Sequence, residues 1–174
     1  MKTLQRMKLL SLATLCSVFL AGCFDISGGG WMWSANGPDA GKATFGFDFY
    51  CEPDSYSAGG HMTYHDQGVT VDEYEGQGAT WRGKPKKLAI QGEVFATLVT
   101  KCESRAAYYA GYVGHYEPIP PSIGEGGYFE VTADDSGDTG PDKDDYLQIT
   151  ILTGVFAGYT NSGSPGGGNI SLPD

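Results

Sequence analysis

Positive charge is scarce in this chain: 11 Lys and Arg stand against 21 Asp and Glu over 174 residues, a formal net charge of −10. Nucleic acid needs clustered cations against its phosphates, so that class of partner is excluded. Long apolar runs are also missing. The one candidate, residues 9–20, is interrupted by Ser11, Thr14 and Ser17 and falls short of the roughly 20 residues that a spanning helix needs. A polytopic membrane protein is therefore excluded, and the length suits a single domain. Beyond that run, no stretch of ten residues repeats with helical periodicity. Catalytic signatures are absent as well. Ser57 lacks the G-x-S-x-G elbow, and Ser104 and Ser122 have no adjacent base. The glycine runs at 28–30 and 166–168 lack the Lys-Ser/Thr of a phosphate loop. The carboxylates are plentiful, but no spacing sets up a glycosidase-like pair. An enzyme is not expected.

What the chain does have begins at its N-terminus. Lys2, Arg6 and Lys8 precede the apolar run without any acid, which is the anatomy of an export signal. The run ends in Leu20-Ala21-Gly22-Cys23. This tetrapeptide resembles the lipobox of bacterial lipoproteins at all four positions. The resemblance implies that residues 1–22 are removed, that Cys23 is lipidated and becomes the mature N-terminus, and that two or three acyl chains hold it at a membrane. An ordinary secretory signal followed by a fortuitous cysteine is the alternative. Phe24, where Asp favours inner-membrane retention in enterobacteria-like sorting, points to the outer membrane. Lys2, Arg6 and Lys8 leave with residues 1–22 and no acid does, so the remaining 152 residues carry −13 instead of −10. Cys51 and Cys102 then remain as a disulfide candidate for an exported protein. Such a bond closes a loop of roughly 50 residues and contributes on the order of 4 kcal/mol. Two buried free thiols are the alternative.

Residues 23–30, with Gly28-Gly29-Gly30, read as a short flexible tether, and 31–174 as one β domain. Residues 42–51 alternate cleanly, with Ala43, Phe45, Phe47, Phe49 and Cys51 on one face. Residues 60–66 and 69–74 read as a hairpin turning at Asp66-Gln67-Gly68. Leu88, Ile90, Val94, Ala96, Leu98 and Cys102 share a parity, with Phe95 and Val99 making the middle apolar on both faces. Tyr108 to Tyr116 is aromatic, and Phe129 and Val131, then Leu147, Ile149 and Ile151, mark two further strands. About eight to nine strands follow, so the expected fold is all-β, an antiparallel β-sandwich or open barrel after an N-terminal signal helix.

Five clusters, ATFGF at 43–47, GHMTYHD at 60–66, GYFEVTADD at 127–135, DKDDYLQITI at 142–151 and GGGNI at 166–170, together resemble a small β domain of bacterial and archaeal surface proteins that often follows a choice-of-anchor module. The resemblance covers nearly all of 41–172 and implies fold and location without any named chemistry. The chain departs from the pattern at 101–126.

Four constellations remain. His61 and His65 on one strand face lie roughly 13 Å apart, too far for one zinc, and His115 joins them only through the fold, so solvent-facing histidines are expected and no metal. The acidic stretch 134–145 offers Asp134, Asp138, Asp142, Asp144 and Asp145 as hard oxygen ligands for calcium. A helix-loop-helix calcium loop is rejected, because Thr139 replaces its glycine, Pro141 follows and both flanks are strands. A looser calcium site in a hairpin loop and a plain solvated loop stay open. Tyr108, Tyr112 and Tyr116 share one face, which either stacks on a glycan or partner or packs between sheets. Arg82, Lys84, Lys86 and Lys87 form a basic turn that is either solvated or faces anionic headgroups. The expected function is a structural or interaction role for a lipid-anchored protein of the bacterial cell envelope, with a membrane, an envelope protein or a glycan as partner. The alternative is a carbohydrate- or ligand-binding module that uses the tyrosine face.

Overall fold

The computed structural model describes residues 24–52, 55–70, 87–98, 109–135 and 145–171. Residues 1–23, which include the expected signal segment and the lipobox-like Leu20-Ala21-Gly22-Cys23, lie outside them. Within them the chain is almost entirely β: β1 (Phe24–Ser34), β2 (Gly37–Cys51), β3 (Ala58–Thr70), β4 (Lys87–Thr97), β5 (Tyr109–Pro118), β6 (Gly127–Asp134), β7 (Tyr146–Ile151), β8 (Thr160–Gly163) and β9 (Gly167–Ser171), with one 3₁₀ turn at Pro121–Ile123. All nine strands belong to one antiparallel sheet in the order β8-β7-β6-β5-β4-β3-β2-β1-β9. Of the two expected architectures, the single curled sheet, a half-open barrel, is the one adopted.

Alternation decides which side chains enter the curl. Ala43, Phe45, Phe47, Phe49 and Cys51 of β2 are all buried, as are Leu88, Ile90 and Val94 of β4, Phe129, Val131 and Ala133 of β6, and Leu147, Ile149 and Ile151 of β7. Phe47 stacks on Phe49 with ring centroids 4.8 Å apart, and Phe49 meets Tyr112 at 4.9 Å. Burying each of the Phe, Leu, Ile and Val side chains among them contributes about 1.5–3 kcal/mol. The interior is a packed core, as expected for a small barrel.

Residues 24–30 are a strand, contrary to the tether expectation. β1 pairs with β2 from Phe24↔Cys51 onward and with β9 from Ser27↔Ser171 to Trp31↔Gly167. The glycines there serve close approach. A Cβ on Gly28 would sit 2.7 Å from the Phe47 ring, and one on Gly30 would collide with the Gly167 carbonyl. The expected hairpin at Asp66-Gln67-Gly68 is likewise absent. Gly68 N donates to Asp66 Oδ1 at 2.8 Å, the hydrogen bond of an Asx turn. It shifts the β3–β4 register between Asp66 and Thr70, and β3 continues without reversing.

Closure of the curl follows from strand direction. Every neighbouring pair is antiparallel, so β8 and β9, at opposite edges of the order, run the same way. Only residues 164–166 separate them. Residues 160–171 thus descend as one kinked strand, the first part on β7 and the last on β1. Gly166 N donates to Trp31 O at 2.8 Å, and Asn161 Nδ2 donates to Trp33 O at 3.0 Å. Below this seam runs a buried polar chain. Asn161 Nδ2 also donates to Tyr64 Oη at 2.8 Å, Tyr64 and Tyr159 share a 2.6 Å hydrogen bond, and Tyr159 Oη donates to Asp66 Oδ2 at 2.8 Å. Ala35 N adds a 3.0 Å bond to the same carboxylate oxygen. Burial above all holds both phenols well above their ordinary range.

Candidate functional surface

Because the strands alternate, two rims collect different segments. The near rim holds the start of β1 at Phe24, the turn between β2 and β3, the end of β4, the end of β6, the start of β7 and the end of β9. The far rim holds the β1–β2 turn, the end of β3 beside the start of β4, and the connections after β5 and β7.

Several expected site residues lie outside the described residues: Cys23, Cys102, Tyr108, Asp138, Asp142, Asp144, Arg82, Lys84 and Lys86. Cys51 is on the inner face, buried and disulfide-bonded, and its partner falls outside the described residues. Thr70 and Lys87, the described residues on either side of 71–86, both lie at the far rim.

Tyr112 and Tyr116 do share a face, and it is the interior one, with exposures of 2% and 0%. Burial pushes the Tyr112 phenol up to about 12, with the Asp25 charge adding to it. Tyr116 Oη donates to Thr153 O at 3.1 Å and accepts from Phe156 N at 3.2 Å, and its ring stacks on Phe156. Neither ring is available for stacking on a ligand. The alternate parity of β5 carried the signal: His115 and Glu117 are exposed, and a strand with those residues outside keeps its tyrosines inside.

At the near rim, Asp134, Asp135 and Asp145 bring the two ends of the acidic segment together. Asp145 is fully buried, and its Oδ2 accepts from Ile170 N of β9 at 3.0 Å. It therefore ties β9 to the start of β7. Burial first, then the charges of Asp135 and Asp145, raise the pKa of Asp134. Among the described residues no group of three His, Cys, Asp or Glu side chains could hold a metal ion.

The outer face carries a row that sequence reading missed. Pairing places Asp48 beside His61, His61 beside Glu93, Glu93 beside His115 and His115 beside Tyr128, and all five are exposed. His61 Nδ1 lies 3.8 Å from Glu93 Oε1, and His115 meets the Tyr128 ring edge-on at 5.6 Å. Acid and imidazole alternate across four strands, so each histidine has a carboxylate neighbour at cross-strand distance. Part of this row, with Tyr50 and Gly59, lines a shallow depression of about 340 Å³. Tyr50 lies flat over Gly59, leaving no room for a Cβ there. Register alone assembles this row, since its members are far apart in sequence.

No protein-family model, curated protein or solved structure matches the chain. Among the described residues no helix is long and apolar enough to cross a membrane.

Proposed function

We propose that this chain is a lipid-anchored protein of the bacterial cell envelope with a non-catalytic structural or interaction role, the outer membrane being favoured by Phe24. The observation that carries the reading is Leu20-Ala21-Gly22-Cys23 at the end of a short apolar run, one residue before the first strand of a folded barrel. The resemblance to surface-protein β domains points to the same location. The packed interior supports an interaction role, because the core residues fill the curl and leave the rims and outer face to meet other molecules. The tyrosine-face alternative loses its support with Tyr112 and Tyr116 inside.

Expression of Cys23→Ala tests the anchor. The variant should take up no radiolabelled palmitate and should leave the membrane fraction. Labelling equal to that of the parent chain overturns the assignment.

A further inference from the structure

We propose that the barrel sits near-rim-down on the bilayer that holds its acyl chains, with the far rim turned away from the membrane. This rests on the anchor reading and adds an orientation to it. The argument begins with chain length. β1 starts at Phe24 and is hydrogen-bonded to β2 from that residue. Consecutive Cα atoms are about 3.8 Å apart, so an acylated Cys23 leaves no slack between lipid and barrel. A flexible tether explores roughly 5–6 Å × √n, and here n is zero.

Position on the barrel comes next. Phe24 lies on the near rim beside the β2–β3 turn, where Glu52 N donates to Ser57 O at 3.1 Å. That turn presents Tyr56, 55% exposed, and Tyr50 lies exposed on the adjoining outer face. Tyrosine, with an apolar ring and a polar tip, suits the headgroup level of a bilayer. Charge sets the kind of headgroup. The described near-rim side chains include Asp25, Glu52 and Asp134 and no lysine, whereas Lys42 and Lys87, the only lysines among the described residues, lie toward the far rim, where they stand with the exposed Asp39, Glu117 and Glu125. An acidic rim fits a zwitterionic, amine-bearing phospholipid surface and is repelled by an anionic one. At eleven residues, β1 places Trp33 roughly 25 Å above the membrane once barrel tilt is allowed for.

Brominated acyl chains read this geometry. The lipidated full-length protein is reconstituted in vesicles of phosphatidylethanolamine and phosphatidylcholine with brominated chains. Trp81 is replaced by Phe throughout, so that the remaining native tryptophans, Trp31 and Trp33, both belong to the far half of β1, and the emission of this parent protein should be unchanged. Tyr56→Trp keeps the backbone bond from Thr97 N to the carbonyl of residue 56, and most of the emission it adds should be quenched. A ten-residue Gly-Ser insertion between Cys23 and Phe24 should abolish that quenching. Intact palmitate labelling without quenching of the added emission overturns the orientation and spares the anchor. Quenching of the parent protein means the opposite rim faces the bilayer, and quenching that survives the insertion refutes the tether argument. Absence of palmitate removes the anchor, and the orientation falls with it.

Discussion

The seam chemistry makes a directional prediction. Tyr159 Oη donates its only proton to Asp66 Oδ2, so the 2.6 Å bond between the phenols must be donated by Tyr64. Tyr64 in turn accepts from Asn161 Nδ2. The chain therefore runs Asn161 → Tyr64 → Tyr159 → Asp66, and its members are not equivalent. Tyr159→Phe removes a hydrogen bond to a carboxylate, about 1.5–3 kcal/mol, and strands the buried Tyr64 proton, a further 1–3. The expected loss is about 3–5 kcal/mol. Tyr64→Phe removes one neutral bond to Tyr159 and one of the two acceptors of Asn161, whose bond to Trp33 O persists. About 2–3 kcal/mol is expected there. In the double variant the stranded Tyr64 proton no longer exists, so the combined loss should fall short of the sum by about 1–3 kcal/mol. Urea unfolding followed by far-ultraviolet circular dichroism measures all three, with m unchanged, and the Tm of Tyr159→Phe should drop by roughly 10 °C. Equal single losses, or an additive double variant, refute the directed chain.

Other predictions use different links. Gly28→Ala should cost about 1–3 kcal/mol through overpacking against Phe47, while Gly29→Ala, whose Cβ would lie 3.7 Å from the Phe45 carbonyl, should be neutral or stabilising by about 0.4–1 kcal/mol. A flexible tether would make the two indistinguishable in thermal melts. Non-reducing mass spectrometry should recover a peptide that links Cys51 to Cys102, and a link to Cys23 instead would contradict lipidation. The raised pKa of Asp134 means that the folded state holds its proton more tightly than the unfolded chain. That contribution is present at low pH and is lost as pH rises through the raised value. Asp134→Asn should therefore be more stable than the parent at about pH 7 and match it at about pH 3. A constant difference across that range would show that charge is not the cause.

Period-two patterning made β2, β4, β6 and β7 legible, because alternate residues there differ sharply in polarity. It failed at β1 for a physical reason. A glycine run carries no side-chain parity, and the same three residues serve a loose tether or a strand pressed between two neighbours. Only the Phe47 ring on one side and the Gly167 carbonyl on the other decide between them. At Asp66-Gln67-Gly68 the residue types suggest a reversal, but Leu88 and Lys87 of the next strand absorb the extra residues as a register shift instead. The split of 160–171 between β7 and β1 was equally out of reach, since it arises when the sheet closes and leaves no local mark.

The same distinction separates the two surface readings. Parity established that Tyr112 and Tyr116 share a face, and the polar His115 and Glu117 between and beyond them held the information on which face that is. Weighing each strand as a pair of faces, rather than counting its aromatics, places those rings inside. The row from Asp48 to Tyr128 has no such local signature. Its members stand on five strands and meet only because each register is set by core residues on the opposite face: Phe47 against Met62, Met62 against Gly92, Gly92 against Tyr116. A one-residue slip in any of these pairs would turn core residues toward water. The packing that specifies the interior therefore also specifies which charges stand side by side outside, and the outer face of this barrel is as strictly ordered as its core.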